Sequence, residues 1–119
     1  MHQDDLLAAV RQGTAAFTFA EVLACIDAAY HFTPTAFRNG NQNNPAGSNP
    51  GSCRVFAFAQ KHHLTASQTL QLFAEHYREV QENPHGESHN NIRQFMQHGW
   101  EKIQFFGEPL HPRSGVSDA

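Results

Sequence analysis

No stretch of the chain approaches the ~18–20 apolar residues that a bilayer-crossing helix needs. The opening residues, Met1-His2-Gln3-Asp4-Asp5, are acidic where a secretory signal would be basic. The expectation is a soluble, cytoplasmic chain with no membrane partner and no export by the general secretory route. Cysteine is scarce: Cys25 and Cys53 are the only two. Both sit in apolar surroundings, which points to free buried thiols rather than a disulfide or a zinc thiolate cluster. Basic charge is thin as well. Eight Lys and Arg against eleven Asp and Glu give a net charge of -3, and the basic residues are scattered from Arg11 to Arg113. A nucleic-acid partner requires a basic face that displaces counterions from phosphates, so none is expected. No repeat, low-complexity tract or composition shift divides the 119 residues, a length that suits one domain. That domain is expected over residues 1–112, followed by a disordered tail at 113–119.

What the chain has instead is phenylalanine and histidine. Ten Phe among 39% apolar residues imply a Phe-rich core, and nothing in the composition suggests disorder. Nine His outnumber Lys and Arg together, so acidification through about pH 6.5 would reverse the sign of the net charge.

Periodicity places the elements. Asp5 to Arg11 reads as a first helix ending before Gly13. Phe19, Val22, Leu23, Ile26 and Tyr30 follow helical spacing behind Thr18 as N-cap. Tyr30 to Phe37 reads as a short edge strand, because the residue before Pro34 is pushed into extended conformation. From Thr33 to Ser52 the chain is polar and rich in turn formers, Asn39-Gly40 being the strongest. A long structureless loop in a small domain is functional or disordered, and the apolar flanks here favour function, as the wall of a site. Ser52 is expected to cap a buried helix through Phe56 and Phe58, since the Ala residues between them are weak strand formers. Thr65 and Gln68 form a capping box. One helix is expected beyond it, with Leu70, Phe73, Ala74, Tyr77 and Val80 on its buried stripe and Glu75, Arg78, Glu79 and Glu82 in water. The last helix starts near His89, turns Ile92, Phe95, Met96 and Trp100 inward and is interrupted at Gly99. Ile103 to Phe106 reads as a strand that pairs with Tyr30 to Phe37. The expected fold is α+β: a compact, mostly helical single domain with a small two-stranded ribbon.

Several of these segments carry a family resemblance. Thr33-Pro34-Thr35-Ala36-Phe37, Asn39-Gly40, Ala46-Gly47, Gly51-Ser52-Cys53, Phe56-Ala57-Phe58-Ala59, Leu72-Phe73, Tyr77-Arg78, His89, Asn91-Ile92-Arg93, Phe95 and Gly99-Trp100 occur in order between Phe19 and Leu110. Together they resemble the HopJ type III effector family. The resemblance implies a protein of the kind that plant-pathogenic bacteria inject into host cells through a type III apparatus, with a host-cell protein as partner and no settled biochemical activity. Injected effectors usually begin with a flexible, Ser-rich leader. Here the first Ser is Ser48 and a helix is expected from Asp5, which favours a cytoplasmic role.

Candidate chemistry centres on His89, Asn91 and Arg93 at the start of the last helix. If the Thr33 to Ser52 loop folds over them, helix amides and the Arg93 guanidinium form a pocket for a small anionic ligand. Thr35, Asn39, Asn43, Ser52 and Asn91 are the candidate ligand contacts. The bland reading is that Ser88 caps the helix and Arg93 pairs with Glu87 or Glu101. An enzymatic alternative, hydrolytic in type, assigns His89 as acid or base, Arg93 as anion clamp and Cys53 as nucleophile at a helix start. No cofactor is expected in the leading reading. A zinc or iron ion held by His85 and His89 with His98 or Glu87 is the metal alternative, weakened by Pro84 and Gly86 on either side of His85. The binding or interaction module is preferred to the enzyme.

Overall fold

The computed structural model describes residues 1–113, and the expected tail at 113–119 lies, except for Arg113, outside the described residues. Helix α1, Gln3–Gln12, ends at Gly13, whose φ of 73° supplies the left-handed C-cap. Helix α2, Phe19–Ala29, starts at a capping box between Thr18 and Glu21. A cap of this kind stabilises a helix by about 1 kcal/mol. The chain then extends into β1, Tyr30–Phe32. The expected edge strand is thus cut short near Pro34, and Phe37 opens a separate strand, β2, Phe37–Asn39.

The Thr33 to Ser52 segment is more ordered than a structureless loop. Strand β3, Gln42–Asn44, turns back on β2 with Asn39 opposite Gln42 and Phe37 opposite Asn44. Gly40 holds the turn at a φ of 58°. A side chain there would run into the Gln94 amide and the His98 ring, so the turn needs glycine both for its backbone angle and for close approach to its neighbour.

Helix α3, Pro50–Lys61, forms as the alanine argument expects, but Asn49 rather than Ser52 is its N-cap, with Pro50 in the first turn. Val55, Phe56, Phe58 and Ala59 are all fully buried. A helix apolar on every side belongs at the centre of a domain, and α3 lies there, against Phe37, Phe73, Phe95 and Trp100 through the Phe56 ring alone.

The expected single helix after Thr65 is two. The Thr65–Gln68 capping box starts α4, Ala66–Gln71, and α5, Glu75–Glu82, begins after Ala74 takes φ 51° and ψ -122°. Leu72, Phe73 and Ala74 are all buried. Helix α6, Asn90–His98, follows, with a 3₁₀ turn, Gly99–Lys102, at the interruption expected from Gly99. Phe95 and Ile92 are buried and Trp100 packs on the core, but Met96 faces solvent at 45% exposure.

Strand β4, Ile103–Phe105, pairs with β2, Phe105 opposite Phe37. A fifth strand, β5, Leu110–Pro112, pairs with β1. In place of one ribbon there is a two-stranded sheet, β1-β5, and a three-stranded antiparallel sheet in the order β3-β2-β4. The fold is α+β, with six α-helices among the described residues. Arg113, placed in the expected tail, donates from its backbone to the Ala29 carbonyl and from Nε to that of Asp27. No helix among the described residues is long and apolar enough to cross a membrane.

Candidate functional site

The β2-β3 hairpin docks on the first turns of α6. The Asn41 amide donates to Gln94 Oε1 at 2.9 Å, and beneath the turn four asparagines interlock. Asn39 Nδ2 donates to the Asn91 carbonyl and to Asn91 Oδ1 at 2.7 and 3.0 Å. Asn91 Nδ2 donates to Asn44 Oδ1 at 2.9 Å, and Asn49 Nδ2 reaches the same oxygen at 2.8 Å. Asn39, Asn44 and Asn91 are buried. Among these three, Asn39 Oδ1 alone has no partner; the other amide groups are paired, and because each bond needs a donor facing an acceptor, the network fixes the hairpin, the start of α3 and the start of α6 in one arrangement.

Beside the network lies a hollow of about 330 Å³, lined by Phe19, Phe73, His76, the first turns of α3 and α6 and Gln42. Ser52, His89 and Asn91, named from sequence, reach it. The first amides of α3 and α6, which have no carbonyl four residues earlier to bond, belong to Gly51, Ser52, Asn90 and Asn91 on this wall. The α2 start is satisfied differently. The Phe19 amide donates to Glu75 Oε1 at 2.7 Å, and that bond holds the Glu75 carboxyl below its usual range.

Other sequence-named residues lie elsewhere. Cys53 is 1% exposed and its thiol donates to the Thr35 carbonyl at 3.6 Å. Burial pushes the thiol up to about 11, so it stays protonated near neutrality, unlike the activated nucleophile expected at a helix start. Thr35 is buried, with its hydroxyl donating to the Thr33 carbonyl. Arg93 turns away as well: Nε donates to the Ser88 carbonyl and Nη1 to that of Asn83, at 2.6 and 2.8 Å. Through these two nitrogens it braces the α5–α6 connection, Nη2 is buried without a partner, and Arg93 pairs with neither Glu87 nor Glu101. Asn43 is exposed, because alternation along β3 sends its neighbour Asn44 inward.

Two residues were missed. His76 and Glu79 stand one turn apart on α5 and meet His89, the α6 N-cap. His89 Nε2 lies 2.8 Å from Glu79 Oε2, and His76 Nδ1 lies 3.8 Å from Oε1. The two imidazoles face each other at 4.8 Å between centroids. A carboxylate only accepts, so the short contact places a proton on His89 Nε2. His76 Nδ1 is buried without a hydrogen-bond partner. These three side chains form the group among the described residues with the spacing of metal ligands. The expected set of His85, Glu87 and His98 contributes only its fourth member, His89. An i, i+3 His-Glu pair is a readable signal, but the sequence reading places Glu79 on the wet face of one helix from Thr65 and does not single out His76.

With this geometry in place, the comparisons decide the family. A model of the HopJ type III effector protein matches residues 3–110. The chain belongs to the HopJ type III effector family. A solved structure described as "Crystal structure of unknown function protein VPA0580" is similar at 39% identity, with a TM-score of 0.91 over 95% of each chain. Among curated proteins none matches.

Proposed function

We propose that this HopJ-family protein is a binding module that takes a small anionic ligand, a carboxylate or phosphate, in the hollow between the β2-β3 hairpin, α3, α5 and α6. The observation that carries this reading is the joining of two helix starts on one wall. The first turns of α3 and α6 both line the hollow, and each offers free amides and the positive end of a helix dipole. No Lys or Arg among the described residues lines it, so recognition rests on backbone N–H groups, Ser52 and the imidazoles, with the asparagine network holding them in place before the ligand arrives.

Amide-resolved NMR with citrate, inorganic phosphate and short dicarboxylates tests the reading. Shifts centred on Gly51, Ser52, Asn90 and Asn91 are expected, with their loss in Ser52→Trp, which fills the hollow. Absence of saturable shifts there would reject it. A hydrolytic reading keeps one supporting observation, the His89–Glu79 pair at 2.8 Å, which orients an imidazole as a general base requires. The family description associates its members with type III secretion. In that setting the ligand is one met inside a host cell, and fusing α1 to a secretion reporter in a type III-competent strain tests the route.

A further inference from the structure

We infer that His76, Glu79 and His89 bind a divalent first-row transition-metal ion at the edge of the hollow, with its open coordination positions turned toward the bound anion. The inference rests on the anion-binding reading only for what fills those open positions.

Geometry is the first support. The three ligand atoms lie within 4.8 Å of one another. Tetrahedral zinc, with bonds of about 2.0–2.2 Å, sets its ligand atoms roughly 3.3–3.6 Å apart. His89 Nε2 lies 2.8 Å from Glu79 Oε2 and His76 Nδ1 lies 3.8 Å from Glu79 Oε1, so each imidazole already stands beside one oxygen of the carboxylate. Two ligands come from one face of α5, and the third comes from a separate connection that Arg93 pins to Ser88 and Asn83. The second support is His76 Nδ1, buried and without a hydrogen-bond partner. A buried polar atom left alone calls for a partner, and a neutral imidazole nitrogen is a good metal ligand. The Phe19 ring meets His76 edge-on at 4.8 Å and sets its orientation.

Two imidazoles and one carboxylate suit zinc, iron(II) or cobalt(II) better than calcium or magnesium, which prefer all-oxygen sets. With one carboxylate among its ligands, a divalent ion leaves the site with a positive charge, which complements the two helix starts. His76 and His89 line the hollow itself, so positions not taken by protein open onto it.

The full chain, freed of metal by chelator and dialysis, is titrated with Zn²⁺ by calorimetry and with Co²⁺ by visible absorption. One ion per chain is expected. His76→Ala, Glu79→Gln and His89→Asn should each weaken it by at least about tenfold, while His85→Ala and His98→Ala leave it unchanged. His89→Asn is chosen because Asn tolerates left-handed backbone, and an unchanged thermal melt shows that the variant folds. Absence of saturable one-to-one uptake, or uptake equal in all five variants, overturns the inference. Amide shifts with anion in metal-free protein, but no metal uptake, remove the ion and keep the hollow. Metal uptake without anion shifts does the reverse.

Discussion

Two buried neighbourhoods meet along α6 and are held by opposite means. Ile92 and Phe95 face the Phe56 cluster, where rings pack at 4.9–6.4 Å between centroids. Asn91, beside them, faces Asn39 and Asn44 through amide hydrogen bonds. The aromatic side depends on volume and area and tolerates change of detail. The amide side depends on which atom donates and which accepts, so it specifies one docking of the hairpin. The first supplies stability and the second supplies the position of the hollow's wall.

Substitutions that separate volume from direction break this comparison in measurable ways. Phe56→Ala is expected to have the largest effect, a loss of about 3–5 kcal/mol in urea unfolding. Phe56→Leu, which keeps most of the volume, should lose less than half as much. Asn91→Ala is expected to cost about 2 kcal/mol, since it removes bonds to two buried amides that keep other partners. Here conserving volume should not help: Asn91→Asp replaces the donor that faces Asn44 Oδ1 with an oxygen and should cost at least as much as alanine. If Asn91→Asp were milder than Asn91→Ala, the amide cluster would be packing by volume after all. The smallest expected effect has the opposite sign. Ala74 holds a conformation suited to glycine, so Ala74→Gly should stabilise the protein by about 1 kcal/mol in the same assay.

The same contrast explains what the sequence disclosed. Signals confined to a few neighbours were readable: the Thr18 and Thr65 capping boxes, the Asn39-Gly40 turn and the helix through Phe56 and Phe58. The break at Ala74 was not, because Leu72-Phe73-Ala74 carries no glycine or proline to mark it. Strand β5 was hidden because Pro112 and His111 are poor strand formers, and its pairing with β1 is long-range. At the site, the meeting of the hairpin with the Ser88 to Arg93 stretch was anticipated, but individual side chains followed register. Asn44 points in where Asn43 was expected, and Arg93 and Cys53 serve the framework. His76 and Glu79 share a readable spacing, but their meeting with His89 is long-range.

His76 and His89 line the hollow between the hairpin, α5 and α6, and Glu79 joins them at its edge. Anomalous diffraction at the zinc edge, from crystals of the zinc-loaded full chain, shows whether these three side chains take an ion there. A single strong peak is expected about 2.0–2.2 Å from a nitrogen of His76, a nitrogen of His89 and an oxygen of Glu79. A peak on other histidines, such as the exposed cross-strand pair His31 and His111, or a map with no peak, would contradict it.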